Sequence, residues 1–325
     1  MYVVYASNDS YAQFLGVSML SFFDNNQDLE EISVYVLAEK ISTENTGFLR
    51  DIARRYDRYI EFIDISEYKQ WIPFEFSTGG YNSVVLSRLF LGSILPADIE
   101  SILYLDCDTI VNGSVRELEN ISFCDNVIAA VPELYMPVEK KTLIGLGREE
   151  IYYNAGVLWI NLSLWRLEHF ETAFLEYYRC MKGQLLYNDQ DIINHCCRGR
   201  IMTLSHTYNL STNLFYFPRY YVKRLQPAYD TSSATAYSQI LSSPVIIHYM
   251  GDERPWIAGN YNKYRRQFKY YLEKSPWKNN LSIQGKRLYM LCYHILNLVT
   301  FFCPWFRTML SRMIGINIYK WFRKK

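Results

Sequence analysis

Two carboxylates stand at i and i+2 in Tyr104-Leu105-Asp106-Cys107-Asp108, at the end of an apolar run that begins at Ser101. Carboxylate oxygens are hard donors that suit Mg2+ or Mn2+, and such ions commonly bridge to substrate phosphates. The plainer reading of the pair is two aspartates solvating a turn. A second apolar run ends in Val245-Ile-Ile-His248-Tyr-Met-Gly251-Asp-Glu-Arg254-Pro-Trp256. His248 offers an imidazole acceptable to Mn2+. Gly251 lets backbone approach a phosphate, and Arg254 brings the charge to neutralise it. The competing reading is a buried histidine with satisfied hydrogen bonds. Two further segments, Tyr153-Asn154-Ala155-Gly156 through Asn161 and Asn188-Asp189-Gln190-Asp191, set hydroxyl-binding side chains beside apolar ones, as sugar recognition requires. Alone, Asn154 could close a turn and Asp189 could cap a helix.

The elements that must position these residues alternate. Strands are expected at Val3–Ala6, Ile32–Leu37, Tyr59–Ile65, Ser101–Leu105, Val127–Val131 and Val157–Asn161. Helices are expected at Tyr11–Phe23, at Ser42–Tyr56 with Ser42 as N-cap, at Val84–Leu95, and near 163–181 and 189–197. Strand and helix in turn predict an α/β fold, a mostly parallel sheet covered on both faces. Such sheets bind ligands beyond the carboxyl ends of their strands, where the polar segments above begin. No Gly-x-Gly-x-x-Gly follows the first strand, and no Walker lysine loop, His-Glu-x-x-His or Gly-x-Ser-x-Gly occurs.

Half of the 325 residues are hydrophobic and 21% are charged, enough for a large core and against intrinsic disorder. With 29 Tyr and 18 Phe, aromatic side chains are expected on the surface as well as inside. The net charge of +1 excludes a globally basic nucleic-acid binder. Seven cysteines without a Cys-x-x-Cys pair, and an opening that lacks the signal-peptide pattern, predict reduced thiols in a cytoplasm.

Taken in order, the motifs resemble glycosyltransferase family 8 over about residues 1–260. They are Ala6-Ser7-Asn8-Asp9-Ser10-Tyr11, Arg88 in a helix, Asp106-Cys-Asp108, Asn154-Ala-Gly156-Val157, Asp189-Gln190-Asp191 and His248-Tyr-x-Gly251-x-x-Arg254-Pro-Trp256. The nearest likeness is to bacterial lipooligosaccharide galactosyl- and glucosyltransferases. The resemblance implies a Rossmann-like GT-A fold, a UDP-hexose donor, Mn2+ or Mg2+, and retention of anomeric configuration. It implies that Asn8, Ser10 and Tyr11 meet the uracil, that Leu105 and Cys107 offer backbone near the ribose, and that Asp106, Asp108 and His248 hold the metal. Gly251 and Arg254 would contact the diphosphate, and Arg88, Asn154, Asp189 and Gln190 the donor sugar. Asp189 is the candidate nucleophile of a double displacement; front-face substitution is preferred, with Asp189 and Gln190 recognising hydroxyls. A loop near 73–82 or 245–256 is expected to close over the donor. The chain departs from the family in having Arg254 where lysine is usual, and Pro132-Glu133 where an aspartate often ends the strand. The alternatives are a sugar-nucleotide hydrolase or nucleotidyltransferase, and a donor-binding scaffold that has lost catalysis.

Charge divides the chain at 273/274, giving a catalytic domain over 1–273 and a tail over 274–325. The tail holds ten Lys or Arg and no Asp or Glu, so the remainder, with 24 basic against 33 acidic residues, has a net charge of −9. Leu288–Phe306 carries no formal charge and is flanked by Lys286-Arg287 and Arg307. His294, Asn297, Thr300 and Pro304 interrupt it. Basic flanks on both sides fit a helix lying in a membrane interface better than one crossing it, and packing against the body is the third option. The expectation is a peripheral tail on the anionic inner face of the cell membrane, serving a lipid-linked or oligosaccharide acceptor. On that reading, truncation near 280 leaves an enzyme active on detached oligosaccharides.

Overall fold

A computed structural model describes residues 1–66, 83–229, 233–280 and 283–322. The strands are β1 (Tyr2–Asn8), β2 (Ser33–Glu39), β3 (Tyr59–Asp64), β4 (Ser101–Leu105), β5 (Thr109–Val111), β6 (Ile128–Pro132), β7 (Tyr153–Asn161), β8 (Ile201–Thr203), β9 (Leu210–Ser211) and β10 (Ile246–His248). The helices are α1 (Ala12–Asn25), α2 (Thr43–Arg55), α3 (Leu91–Ile94), α4 (Val138–Leu143), α5 (Leu162–Leu167), α6 (Phe170–Cys180), α7 (Asn188–Cys196), α8 (Arg219–Leu225), α9 (Ala234–Ser242), α10 (Arg265–Lys274), α11 (Arg287–Phe302) and α12 (Pro304–Phe322).

The seven-stranded sheet runs β3-β2-β1-β4-β7-β6-β8. Its pairs are parallel except those of β7, which runs antiparallel to both β4 and β6. Side chains alternate across it, so Val3, Tyr5, Leu103 and Leu105 enter one core with α1 and α2. Val4, Ile102, Tyr104 and Leu158 enter the other, with α3 and α5–α7. Both faces are covered, which is why β1 and β4 read as unbroken apolar runs. Ser42 caps α2 as expected, accepting from the Asn45 N–H.

The helix expected at Val84–Leu95 is instead a 3-10 segment over Ser83–Phe90 followed by α3. Ser87 Oγ bonds the Val84 carbonyl and Arg88 Nε the Val85 carbonyl. Side chains three residues on thus engage acceptors that an α-helix would use. This tighter winding is what aims Arg88 at β4 and β7.

A second sheet, β5-β10-β9, decides the site. β10 pairs antiparallel with β5, setting His248 opposite Thr109, the residue after Asp108. The apolar stretch 288–306 is broken at Cys303, where α11 ends and Pro304 opens α12, since proline is tolerated in a first helical turn. No helix among the described residues is long and apolar enough to cross a membrane. The charge break at 273/274 falls inside α10, and Trp277 beyond it is buried, its ring edge-on to Phe48 and its indole N–H donated to Asn45.

Candidate active site

The register of β5 and β10 closes a gap of 140 residues in sequence. Ligand-capable atoms of Asp106, Asp108 and His248 lie within 4.8 Å of one another. His248 Nε2 is 3.2 Å from Asp108 Oδ1 and 3.8 Å from Asp106 Oδ2. Burial opposes charge on His248, but the carboxylates of Asp108 and Asp106 outweigh it and raise the pKa of the ring. Burial likewise works against ionised Asp108, yet His248 and Arg254 hold its pKa below the usual range.

The tautomer of His248 follows from one backbone group. The Gly156 N–H can only donate, and it points at the Asn154 side chain, which must therefore present Oδ1, 2.9 Å away. Asn154 Nδ2 then donates to Glu133 Oε2 at 2.9 Å. Asn209 donates its Nδ2 to the same Asn154 Oδ1 at 2.8 Å, which turns its own oxygen to His248 Nδ1 at 2.9 Å. Nδ1 carries a proton, and Nε2 is directed at the aspartates. Burial raises the pKa of Glu133 at the far end of this chain.

Two carboxylates and an imidazole suit a hard divalent cation, and the space for it depends on Gly156. A Cβ there would lie 2.2 Å from His248 Cε1 and 2.8 Å from Asp106 Oδ2. The residues present therefore fit a metal.

Arg88 is buried between two carboxylates. Its Nη2 donates to Asp106 Oδ1 at 2.7 Å, its Nε lies 3.0 Å from Asp189 Oδ2, and its Nη1 donates to the Ala155 carbonyl at 2.6 Å. The guanidinium also lies 4.3 Å from the Tyr104 ring centroid. Burial works against its charge, but Asp106 and Asp189 more than offset that and raise its pKa. Burial pushes Asp189 up to about 6, with Arg88 opposing and Asp106 adding.

The other expected residues occupy varied places. Asn8, Tyr11, Cys107, Gln190 and Arg254 line a cavity of about 280 Å3 with Arg88 and the two aspartates. Asn8 Oδ1 accepts from the Ser10 hydroxyl and the Tyr11 N–H, so Asn8 also caps the turn that presents Tyr11. Ser10 itself is exposed and does not line this cavity, and the side chain of Leu105 is in the core. Cys107 is buried, its thiol donated to the Ala6 carbonyl. Gln190 accepts from the Ala155 N–H. Asn154 spends its side chain on Glu133, Gly156 and Asn209. Asp191 accepts from the Tyr152 hydroxyl and from the N–H groups of Leu186 and Tyr187, holding the turn before α7. Gly251, at φ +62, lines a second cavity of about 700 Å3 that shares Asp106, Asp108, Tyr187 and Gln190 with the first. Arg254 Nη2 is 3.5 Å from Asp108 Oδ2, and its Nε is buried with no hydrogen-bond partner among the described residues. The segment 73–82 lies outside the described residues.

Sequence reading missed Asn209, which belongs to no motif and precedes a strand of two residues. It also missed Tyr187, whose only signal is its place beside Asn188-Asp189. His195 and His206 stack on Tyr177 and Tyr229 away from the triangle.

Known proteins resemble this chain in sequence and in fold. Residues 2–259 match the model of glycosyl transferase family 8. A putative glycosyltransferase of Haemophilus influenzae is 29% identical over 65% of the chain, which spans 63% of that relative's length. A lipopolysaccharide 1,2-glucosyltransferase of Escherichia coli K12 is 26% identical over 88% of this chain and 81% of its own. The crystal structure of the galactosyltransferase LgtC, in complex with donor and acceptor sugar analogues, matches with a TM-score of 0.70 at 26% identity, covering 85% of this chain and 96% of that one. The matched segment carries every site residue described above, and the chain belongs to glycosyltransferase family 8.

Proposed function

We propose that the protein moves a hexose, galactose or glucose, from a UDP-sugar to a hydroxyl of a bacterial surface glycan or lipid-linked oligosaccharide, with retention of configuration. The observation that carries this reading is the Asp106, Asp108 and His248 triangle with Arg254 beside it, whose buried Nε has no hydrogen-bond partner among the described residues. A diphosphate supplies the acceptor that this nitrogen lacks. The relatives supply the hexose and the bacterial glycan.

Asn8, Ser10 and Tyr11 would receive the uracil, and backbone at Leu105 and Cys107 the ribose. Arg254 and the backbone at Gly251 would contact the diphosphate. Arg88, Asn154, Asp189 and Gln190 would surround the sugar. Mn2+, or Mg2+, held by Asp106, Asp108 and His248 would neutralise charge developing on the departing UDP. Asp189 Oδ2 is ion-paired with the Arg88 guanidinium, 3.0 Å from the Nε whose one N–H goes to the Val85 carbonyl, and this pairing weakens it as a nucleophile and favours front-face substitution. In that course the acceptor oxygen bonds to the anomeric carbon as the bond from that carbon to the β-phosphate oxygen breaks. The electron pair leaves with UDP, and the phosphate oxygen takes the hydroxyl proton. Arg254 stabilises the charge where it grows.

The outer face of α11 favours a membrane surface. Leu288 is 74% and Phe302 79% exposed, with Leu291, Ile295 and Leu298 between them, and Lys286 and Arg287 at the helix start. The site would then work on the cytoplasmic side, at an anionic leaflet.

The test is a donor screen: UDP-galactose, UDP-glucose and UDP-N-acetylhexosamines with Mn2+, following UDP release. Slow hydrolysis of one hexose donor, lost in Asp106→Ala/Asp108→Ala, is expected. No release from any donor, together with no metal-dependent UDP binding, would overturn the reading.

A further inference from the structure

The cavity beyond the cation triangle has a wall that the family-matched segment does not supply. Residues 2–259 furnish the donor cavity. Tyr293 and Leu296 of α11, and Arg307, Thr308, Leu310 and Ser311 of α12, close the far side of the 700 Å3 cavity.

These helices are seated firmly on the body. Met290 and Thr300 are fully buried. The Tyr293 and Tyr216 hydroxyls meet, and Tyr216 also donates to the buried Glu253. The Arg307 guanidinium lies 4.0 Å from the Tyr216 ring centroid and donates to Asn297 Oδ1 at 2.6 Å. The hydroxyls of Thr308 and Tyr221 are 2.9 Å apart, and Arg312 pairs with Glu139 of α4.

Across α12 lies a third cavity, of about 850 Å3, between α4, α8 and α12. The two share Glu133, Tyr135, Met136 and Thr308 as a common wall, on which the Tyr135 hydroxyl meets the Thr308 carbonyl at 3.5 Å. The 700 Å3 cavity lies well inside the roughly 300–1,000 Å3 range of small-ligand sites, room for more than a single sugar ring. The lining mixes Tyr135, Tyr187 and Tyr216 with Glu133 and Lys140. Aromatic faces take the apolar sides of pyranose rings, and the polar groups take their hydroxyls.

We infer that α11 and α12 roof an acceptor trough that takes a glycan of at least two sugars, its reacting hydroxyl at the cation triangle and its chain running along the wall of Tyr293, Thr308 and Ser311. This rests on the transferase reading above. It also reverses the expectation for truncation near 280, because a chain ending there lacks the roof.

The test uses the full chain, the active donor from the screen in labelled form, and an array of glycans from single sugars to pentasaccharides. Ser311→Trp, which builds bulk into the trough from its exposed wall, is compared with the unsubstituted chain. The readout is the ratio of transfer to acceptor-free hydrolysis, which cancels the fraction of folded enzyme. Labelling of glycans with two or more sugars, absent from single sugars, is expected, with the ratio at least tenfold lower in Ser311→Trp. An unchanged ratio, equal labelling of single sugars, or hydrolysis without transfer to any glycan overturns the inference while leaving the donor reading in place. Absence of UDP release from the unsubstituted chain fails the donor reading itself, and the inference with it.

Discussion

The donor side and the roof of this molecule are held together by different means. On the donor side Arg88 and His248 are each fixed by several other groups. Arg88 bridges Asp106, Asp189 and the Ala155 carbonyl, and His248 is fixed through Asn209, Asn154 and Glu133. Little there can reorient without leaving a buried polar group unpaired. The roof is seated by the burial of Met290 and Thr300 and by contacts at Tyr216, Tyr221 and Glu139, while its outer face is apolar and exposed. The contrast matches the two tasks. Stabilising a departing diphosphate demands dipoles fixed beforehand. The acceptor and membrane roles proposed above for the roof need a surface that can be exchanged without disturbing that chemistry.

The sharpest way to break the contrast is Gly156→Ala, a single methyl group. Because the new Cβ would sit 2.2 Å from His248 Cε1, the triangle must spread. Turnover is expected to fall at least about 100-fold, the scale of losing one fixed electrostatic contact. Overpacking should also cost about 1–3 kcal/mol of stability. Mn2+ titration followed by electron paramagnetic resonance measures the site directly; full affinity in the variant would mean that His248 is not a ligand.

Arg88→Met comes next. It leaves the carboxylates of Asp106 and Asp189 facing each other in a buried setting, and breaking such a pair costs about 3 kcal/mol or more. Urea unfolding should register that loss, with turnover down roughly 10- to 100-fold as Asp106 is released, on the scale of losing a group that orients a metal ligand. Arg88→Lys should rescue little, since one ammonium cannot serve Asp106, Asp189 and the Ala155 carbonyl at once. Equal stability of Arg88→Met and the unsubstituted chain would show that the donor side is less tightly bound than described.

The two regions were also unequally legible in the sequence. Asp106 and Asp108 stood out because an apolar strand delivers them at its carboxyl end, a local pattern. That His248 joins them rests on the β5–β10 register, and spacing does not encode a register across 140 residues. Only the motif order of a known family supplied it. Asn209 was invisible for the same reason: its role is to orient another side chain, and nothing in its own neighbourhood marks that. The Val84–Leu95 helix was misread in its winding because side chains of Ser87 and Arg88 take local carbonyls. The tail was the least legible. Apolar residues surround much of α11, so periodicity did not separate the face that packs through Met290 and Thr300 from the face that carries Leu288 and Phe302.

Asp189→Asn gives a smaller effect and tests how far burial, rather than charge pairing, rules the donor side. Burial pushes Asp189 up to about 6, against Arg88 and with Asp106 and Asp191 adding. If its carboxylate receives a sugar hydroxyl, donor turnover should rise as the pH climbs through about 6, and this step should vanish in the variant. Stability should run the other way. The folded chain keeps a proton that the unfolded chain has already released, so the stability this group contributes is full at low pH and is lost between about pH 4 and pH 6. Asp189→Asn should lack that slope and melt higher at pH 7 than the unsubstituted chain. A variant that melts lower at pH 7 would mean that the Arg88 pairing outweighs burial.

The smallest effect on donor chemistry is expected from the outer face of the roof. Leu291 and Phe302 are exposed and line none of the three cavities, so Leu291→Asp with Phe302→Asp should leave UDP release in the absence of acceptor within about twofold of the unsubstituted chain. Sedimentation with vesicles of phosphatidylglycerol should separate the two chains. The unsubstituted chain should pellet at low salt and be released as salt rises, because part of the attraction is electrostatic and is screened. The double variant should stay in the supernatant even at low salt, since aspartates on the apolar face oppose both insertion and the anionic surface. Should the variant lose UDP release to the same degree as vesicle binding, the roof and the donor side would be one mechanical unit. Binding of both chains alike would place the membrane contact in the basic residues alone, leaving the apolar face of α11 for another partner.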